Sequence, residues 1–230
     1  MKALLLFDID GTLLVRASDA HREAIHAALK RVYGINEPAG RRVDPWGKTD
    51  IEIAREILVA CDVPEPRIGE GMSEFRVAAA EEYGVRCPAD LSDRLVPGMR
   101  ELLAHLSTRD GVLLSLVTGN LEPIARLKLA RAGIGEFFPR GQGGFGSDDE
   151  DRAALPAVAR ERAGSQTQPH PRERTWVIGD TPRDIACARA DEVRCLAVTT
   201  GPYTAEQLRG ADAVASGPAE LQALLDGELA

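Results

Sequence analysis

The chain has 230 residues, of which 44% are hydrophobic and 28% are charged, and its formal net charge is −8. This composition is typical of a globular protein and argues against a disordered chain. The excess of acidic residues disfavours a surface that binds nucleic acid or an anionic membrane, so we expect neither as a partner. A local basic pocket for a small phosphorylated substrate remains compatible with that charge.

The cysteines and the apolar runs indicate where such a protein works. Cys61, Cys87, Cys187 and Cys195 are scattered and form no C-x-x-C pair, which favours the reduced thiols of a cytoplasmic protein. The apolar run at the N-terminus is too short for a signal peptide, and no run approaches the roughly 20 residues of a membrane span. We therefore expect a cytoplasmic location.

The first predicted element is a buried strand over Ala3–Phe7, followed at once by the sequence D-I-D-G-T at 8–12. A short apolar run that ends in Asp and Gly is typical of a strand in an α/β sheet that leads into a turn. Ligands of such sheets bind beyond the carboxyl ends of the strands. Asp8 and Asp10 repel each other when both are ionised, so this pattern indicates a site that holds a cation or a proton.

The next part of the chain, residues 16–94, is predicted to contain helices only. These predicted helices are Ser18–Tyr33, a second from Thr49 or Asp50 that is broken by Pro64 and Pro66, and Ile68–Tyr83 ended by Gly84. We read this segment as an inserted helical subdomain, here called the helical insertion. The remaining residues, 1–15 and 95–230, then form an α/β core.

Strands and helices alternate from Val96 onward. The predicted strands are 112–117, 175–178, 194–198 and 213–215, with a loop or thin strand at 141–146. The predicted helices are 99–106, 123–132, one after the acidic run 147–151 that ends near 163, 183–190, 205–209, and one from 218. Alternation implies parallel strands with right-handed crossovers. We therefore predict an α/β fold, a Rossmann-like doubly wound parallel sheet with an inserted α-helical cap.

Three of these strands end in polar residues. Asp8 and Asp10 follow the first strand, Thr118 and Asn120 the strand 112–117, and Asp180 the strand 175–178. Because the carboxyl ends of parallel strands share one edge of the sheet, we expect these side chains to meet in one crevice.

Four motifs in this order resemble those of the haloacid dehalogenase superfamily of hydrolases, in its Mg²⁺-dependent phosphatase branch. They are D-x-D-G-T at 8–12, an apolar strand ending in Thr at 116–120, a Lys or Arg at a helix start, and G-D-x-x-x-D at 179–184. The helical insertion is similar to the α-helical cap of the phosphoglycolate phosphatase and β-phosphoglucomutase-like group. Nearly the whole chain is covered by this resemblance.

The resemblance implies catalytic and substrate-binding roles. Asp8 would be the nucleophile that attacks phosphorus and forms an aspartyl-phosphate, and Asp10 the general acid and then the base. Thr118 would bind a phosphate oxygen through its hydroxyl, with the backbone N–H groups of Gly119 and Asn120 beside it.

Mg²⁺ is the implied cofactor, since it prefers oxygen ligands and would neutralise the aspartates while bridging to the phosphate. Its expected ligands are Asp8, Asp10 through the backbone carbonyl, Asp180, and Asp184 directly or through water. Capping of the following helix is the alternative role of Asp184.

The residue of the third motif is open between two cations. Arg152 follows the acidic run 147–151 at a predicted helix start, and arginine is a planar, permanently charged partner for phosphate. Lys128 is the rival, but its place inside the predicted helix 123–132 favours a solvated face. We prefer Arg152.

The helical insertion is expected to select the substrate. Lys48, together with Arg41, Arg42 and Trp46, lies in a loop between predicted helices, where Lys48 or an arginine could reach a substrate carboxylate or hydroxyl. Surface charge on a loop is the alternative for these residues. His21, on the first predicted helix, either faces the cleft or has a structural role.

The predicted function is hydrolysis of a phosphomonoester of a small phosphorylated metabolite, with phosphoglycolate as the first candidate. A β-phosphoglucomutase-type phosphotransferase is the alternative, because it uses the same nucleophile and differs in its cap contacts. A receiver-like signalling domain that holds a phospho-aspartate is the non-enzymatic alternative, against which the helical insertion, Asp10 and Asp180 argue. A monomer and a homodimer are both compatible with the sequence.

Overall fold

The computed structural model describes residues 2–36 and 43–229. Its strands are β1 (Ala3–Phe7), β2 (Val112–Thr118), β3 (Gly144–Phe145), β4 (Thr175–Gly179), β5 (Arg194–Val198) and β6 (Ala213–Ala215). Its α-helices are α1 (Asp19–Tyr33), α2 (Asp50–Ala60), α3 (Glu65–Arg86), α4 (Met99–Ser107), α5 (Glu122–Arg131), α6 (Leu155–Ala163), α7 (Pro182–Ala190) and α8 (Pro218–Glu228). Within this part of the chain, none of the helices combines the length and apolar character needed to cross a membrane.

The strands form one six-stranded parallel sheet in the order β3-β2-β1-β4-β5-β6. β1 lies in the middle, and Phe7 is opposite both Leu116 of β2 and Ile178 of β4. The carboxyl ends of these three strands are therefore level at one edge. The chain leaves β1 toward β2 on one side and reaches β4 on the other, which creates a crevice at that edge. The predicted doubly wound α/β fold is confirmed.

β1 is buried on both faces of the sheet, which explains its continuous apolar run. Leu5 and Phe7 pack in the larger core cluster, which includes side chains of α4, α5 and α8. Leu4 and Leu6 point to the opposite face and pack with α6 and α7. Helices thus cover the sheet on both sides.

Helices make up the regular structure described between β1 and the short 3₁₀ turn Ser92–Arg94, and α1 packs against α3. The two chain segments that lead into and out of the helical insertion run side by side. Val15 N donates to Arg94 O over 2.8 Å, and Val96 N donates to Leu13 O over 3.0 Å. These bonds lie at the boundaries that we placed after residues 15 and 94, and the division into two subdomains remains a prediction.

Two element predictions are wrong. α3 continues through Gly84 to Arg86, and it begins at Glu65 because Pro66 occupies the first turn, where a missing N–H costs nothing. Residues 205–210 form turns where we predicted a helix. That segment is too short to repay helix nucleation, and Thr204 N donates instead to Gln207 Oε1 over 2.9 Å.

The stability of the sheet centre can be measured with Leu5→Ala. We expect a loss of about 2–5 kcal/mol in the free energy of unfolding, because Leu5 is fully buried and its removal leaves a cavity. Urea denaturation is the measurement. Val85→Ala is the matched control, since Val85 is 84% exposed and its truncation should change stability by less than about 0.5 kcal/mol. Equal effects of the two substitutions would contradict the burial of β1.

Candidate active site

Three aspartates meet where β1 and β4 end. Asp8 follows β1, Asp180 follows β4, and Asp184 lies in the first turn of α7. One carboxylate oxygen from each lies within 4.8 Å of the others, and all three side chains are buried. We call these residues the acidic cluster.

The turn after β1 is shaped to admit Asp180. Gly11 has a φ of +90°, and a Cβ atom on it would lie 2.1 Å from Asp180 Oδ2, so glycine is required there. Thr12 Oγ1 donates to Asp180 Oδ1 over 2.9 Å. The other oxygen, Oδ2, is buried and has no hydrogen-bond partner among residues 2–36 and 43–229. An unpartnered buried carboxylate oxygen suits a metal ligand.

Asp184 has the capping role that the sequence left open, while its metal ligation stays a prediction. Its Oδ2 accepts hydrogen bonds from Thr181 N over 2.9 Å and Thr181 Oγ1 over 2.8 Å, which caps α7. Its Oδ1 accepts a hydrogen bond from Arg152 Nη2. The same nitrogen lies 3.1 Å from Asp8 Oδ2, so Arg152, in the 3₁₀ turn Arg152–Ala154, pairs with two members of the acidic cluster.

Burial makes the acidic cluster bind protons tightly. It raises the pKa of Asp8 to about 6, with Asp184 and Asp10 adding to the shift and Arg152 opposing it. Burial, together with the charges of Asp184 and Asp8, raises the pKa of Asp180 to about 8. The cluster therefore favours a bound proton or cation over three free carboxylates.

Asp10 has different neighbours from Asp8. Its Oδ2 accepts a hydrogen bond from Lys128 Nζ over 2.5 Å and another from Asn120 Nδ2 over 2.9 Å. Burial raises the pKa of Asp10, but the ammonium of Lys128 and the nearby His21 outweigh it, and the net shift is downward. Two carboxylates that are two residues apart thus have opposite pKa shifts.

The prediction of a solvated face for Lys128 is wrong, since its side chain is fully buried. Lys128 comes four residues after Ile124 and three after Ala125, so it lies on the buried face of α5. That spacing could have predicted that the side chain of Lys128 is buried. It could not have identified the partner Asp10, which lies far away in the sequence. Both candidate cations of the third motif are therefore in the site, Arg152 beside Asp8 and Lys128 beside Asp10.

A histidine and an aspartate of the helical insertion extend this network. His21 Nδ1 lies 3.1 Å from Lys128 Nζ, and His21 Nε2 lies 3.1 Å from Asp50 Oδ2. The lysine ammonium has only donors, so Nδ1 accepts and Nε2 carries the hydrogen that is donated to Asp50. Asp50 Oδ2 also accepts from Leu121 N over 2.7 Å. From its sequence position, Asp50 is predicted only as a possible first residue of a helix, and nothing in the local pattern indicates this contact with His21.

The loop after β2 forms one wall of the site. A Cβ atom on Gly119 would lie 2.0 Å from the backbone oxygen of Lys48, so glycine lets the helical insertion approach this loop. Gly119 and Asn120 line the cavity described next. Thr118 is fully buried, and its hydroxyl accepts only a long bond of 3.4 Å from Asn120 N.

A cavity of about 700 Å³ opens above the acidic cluster. Asp8, Asp10 and Arg152 are among its lining residues. Lys48 also lines it, but the ammonium of Lys48 pairs with Glu56. Arg41 and Arg42, also predicted to contact the substrate, lie outside the described residues.

The acidic cluster fits a magnesium ion. When Asp8, Asp10, Asp180 and Asp184 are all ionised, the cations of Arg152 and Lys128 leave two negative charges uncompensated, which matches a divalent cation. The available ligands are oxygens, which Mg²⁺ prefers. The carboxylate of Asp10 is turned toward Lys128 and is outside the cluster, so its expected ligation would use the backbone carbonyl.

Residues 5–189 match the family model of the haloacid dehalogenase-like hydrolases (HAD). The chain belongs to this family. The predicted family and enzyme class are thereby confirmed.

Two relatives illustrate the similarity in sequence. Phosphoglycolate phosphatase 1 of Pseudomonas aeruginosa is 28% identical over 203 residues, which cover 86% of this chain and 70% of the relative. The tyrosine-protein kinase PtkA of Mycobacterium tuberculosis is 31% identical over 202 residues, which cover 86% of this chain and 62% of that protein.

A solved structure supports the fold. The β-phosphoglucomutase of Clostridium difficile superposes with a TM-score of 0.68 at 15% identity, covering 99% of this chain and 97% of that chain. At this identity the likeness concerns the arrangement of the sheet and helices alone.

The charge of the acidic cluster predicts a pH-dependent response to Mg²⁺. The folded-state pKa values of Asp8 (about 6) and Asp180 (about 8) exceed the ordinary value of 3.8. Without metal, the free energy of unfolding should therefore fall as pH rises from about 5 to about 8. Saturating Mg²⁺ should raise Tm by about 5–10 °C near pH 8 and by much less near pH 5. Thermal unfolding with Mg²⁺ and with chelator measures both effects.

Two variants serve as controls for this response. Asp180→Asn should flatten the pH dependence and lose the Tm increase with Mg²⁺. Asp93→Asn alters an exposed carboxylate and should behave like the unmodified chain. An undiminished increase in Asp180→Asn would exclude the acidic cluster as the metal site.

Proposed function

We propose that this HAD hydrolase is a Mg²⁺-dependent phosphatase that hydrolyses a small phosphomonoester through an aspartyl-phosphate on Asp8. The observation that carries this proposal is the pair Asp8 and Asp10, which line one cavity in opposite electrostatic settings. Asp8 belongs to the acidic cluster, whereas Asp10 accepts separate hydrogen bonds from Lys128 and Asn120. This separation suits a nucleophile and a proton-transfer group.

In the first step, Asp8 attacks phosphorus as the bond from phosphorus to the alcohol oxygen breaks. A carboxylate is a weak nucleophile, so positioning and charge neutralisation must supply the rate. Arg152 supports this role because Nη2 is already 3.1 Å from Asp8 Oδ2 and can donate to a phosphate oxygen. A bound Mg²⁺ would neutralise the acidic cluster and polarise the phosphoryl group.

Asp10 is proposed to protonate the leaving alcohol oxygen and then to remove a proton from the water that attacks the aspartyl-phosphate. That second attack breaks the bond between phosphorus and Asp8 and restores the carboxylate. Lys128 and Asn120 hold Oδ2 of Asp10, whereas Oδ1 has no hydrogen-bond partner among the described residues and is the oxygen proposed to carry the proton. Lys128 favours the ionised form needed for the base step. An entering phosphate dianion would raise the pKa of Asp10 toward the acid form.

The remaining predicted roles form part of this proposal. Gly119 and Asn120 would bind phosphate oxygens through their N–H groups, and Thr118 would bind one through its hydroxyl. Lys48 would face the alcohol portion of the substrate. Asp180 and Asp184, together with Asp8, would hold the metal.

The helical insertion, residues 16–94, is proposed to act as a cap over the core. His21 and Lys48 on its side of the cavity support this division. Phosphoglycolate is the first substrate to assay, because a relative with 28% identity is a phosphoglycolate phosphatase. Partners are proposed to be limited to such metabolites.

Phosphate release from a panel of phosphorylated metabolites, with Mg²⁺ and with chelator, is the direct measurement. Asp8→Asn should lower kcat by about 10³-fold or more, because the amide cannot form the covalent intermediate. Asp93→Asn, the exposed counterpart, should retain full activity. Full turnover by Asp8→Asn would exclude Asp8 as the nucleophile.

Interconversion of sugar phosphates without release of inorganic phosphate would instead indicate a mutase. A stable phosphorylated Asp8 would indicate a signalling protein.

Lys128→Met tests the environment of Asp10. Loss of the ammonium 2.5 Å from Asp10 Oδ2 should raise the pKa of Asp10. Because Asp10 must carry its proton in the first step, the basic limb of the kcat/KM profile should move to higher pH. We expect kcat to fall about 10²-fold. Lys128→Arg keeps the charge and should leave the limb nearer its original position, while Lys30→Met, on the exposed side of α1, should change neither quantity. An unmoved limb in Lys128→Met would contradict the proposed role of Asp10.

A further inference from the structure

We propose that the substrate's alcohol portion is bulky and apolar, so that the preferred substrate is an aryl-alkyl or long-chain alkyl phosphomonoester. This inference rests on the proposed hydrolase function. It rests on the apolar walls of the cavity, which have no role in the proposed catalytic steps.

The cavity is polar at its floor and largely apolar on the side of the helical insertion. The apolar lining residues there are Ile25, Val43, Pro45, Trp46, Ile53 and Ile57. A volume of about 700 Å³ lies within the range of sites that enclose molecules much larger than a two-carbon acid. A phosphate on the floor would therefore leave most of the apolar wall uncovered by a small polar alcohol.

The basic side chains around this wall already have partners, with the exception of His26, whose ring favours the neutral form because burial and the charge of Arg22 lower its pKa. Lys48 pairs with Glu56, and Arg22 lies 2.9 Å from Asp19 at the exposed rim. Both ring nitrogens of His21 are hydrogen-bonded. Among the lining residues that the structure describes, a second anionic group on the substrate would have to displace one of these contacts. That cost favours an uncharged alcohol portion.

The apolar wall extends to the mouth of the cavity through Trp46. Trp46 is 40% exposed, an unusual state for so large an apolar side chain. Its loop is held in place, since Trp46 N donates to Asp44 Oδ1 over 3.2 Å and Lys48 N donates to Pro45 O over 3.2 Å. Ile57, by contrast, is only 3% exposed and forms a fixed inner surface. An apolar group between them would remove its own surface and that of Trp46 from water.

A substrate series with alcohols of similar acidity tests this inference, because the chemical step then stays comparable. We expect kcat/KM to increase about fourfold for each added methylene from ethyl to hexyl phosphate until the cavity is filled. 2-Phenylethyl phosphate should exceed both ethyl phosphate and phosphoglycolate. All assays use the full chain with Mg²⁺ and measure released inorganic phosphate.

Trp46→Ala should lower the ratio of kcat/KM for 2-phenylethyl over ethyl phosphate about tenfold. Val59→Ala is the matched control, because Val59 is exposed, lies on α2 and does not line the cavity, so the ratio should stay constant. A flat alkyl series, an unchanged ratio in Trp46→Ala, or a preference for phosphoglycolate would overturn the inference while leaving the hydrolase function intact. Absence of phosphate release from every ester, ethyl phosphate included, would instead overturn the proposed function on which it rests.

Discussion

Burying several carboxylates at one edge of a sheet costs free energy unless positive charge lies close by, and this constraint organises the structure around β1. Asp8 and Asp180 end adjacent strands because the sheet is parallel and its central strands are in register. Gly11 turns the chain so that Asp180 fits beneath it. Arg152 then offsets part of the charge, and the remaining negative charge favours a bound proton or a cation.

The two buried cations divide the site into unlike halves. Arg152 contacts Asp8 and Asp184, and in this half burial and neighbouring carboxylates raise the pKa of Asp8. Lys128 contacts Asp10, where the nearby ammonium keeps the proton affinity low. A single turn after one strand can therefore present two aspartates with different chemistry. The difference comes from α5 and the segment before α6, which approach that turn from different directions.

The sequence predicted what local pattern and motif order determine. The apolar runs identified the strands, and the level strand ends brought Asp8 and Asp180 together. Contacts between side chains that are far apart in the sequence could not be predicted, because the direction of each side chain depends on packing. Lys128 meets Asp10 across 118 positions and His21 meets Asp50 across 29, and no local pattern pairs them. At Gly84 the local pattern predicted a helix end that the structure does not have. α3 continues through this glycine to Arg86, because packing of the helix outweighs the low helix propensity of one residue.

The start of α2 is joined to the loops of the site by several hydrogen bonds. Asp50 N donates to Gly119 O over 2.8 Å, and Thr49 Oγ1 donates to Glu150 O over 2.8 Å. Asp50 also accepts from Leu121 N and holds His21, which contacts Lys128. Any movement that lifts α2 from these loops breaks those bonds and takes Asp50 away from His21, the histidine of α1 that contacts the lysine beside Asp10. The position of α2 and the hydrogen bonds around Lys128 and Asp10 are thus mechanically linked.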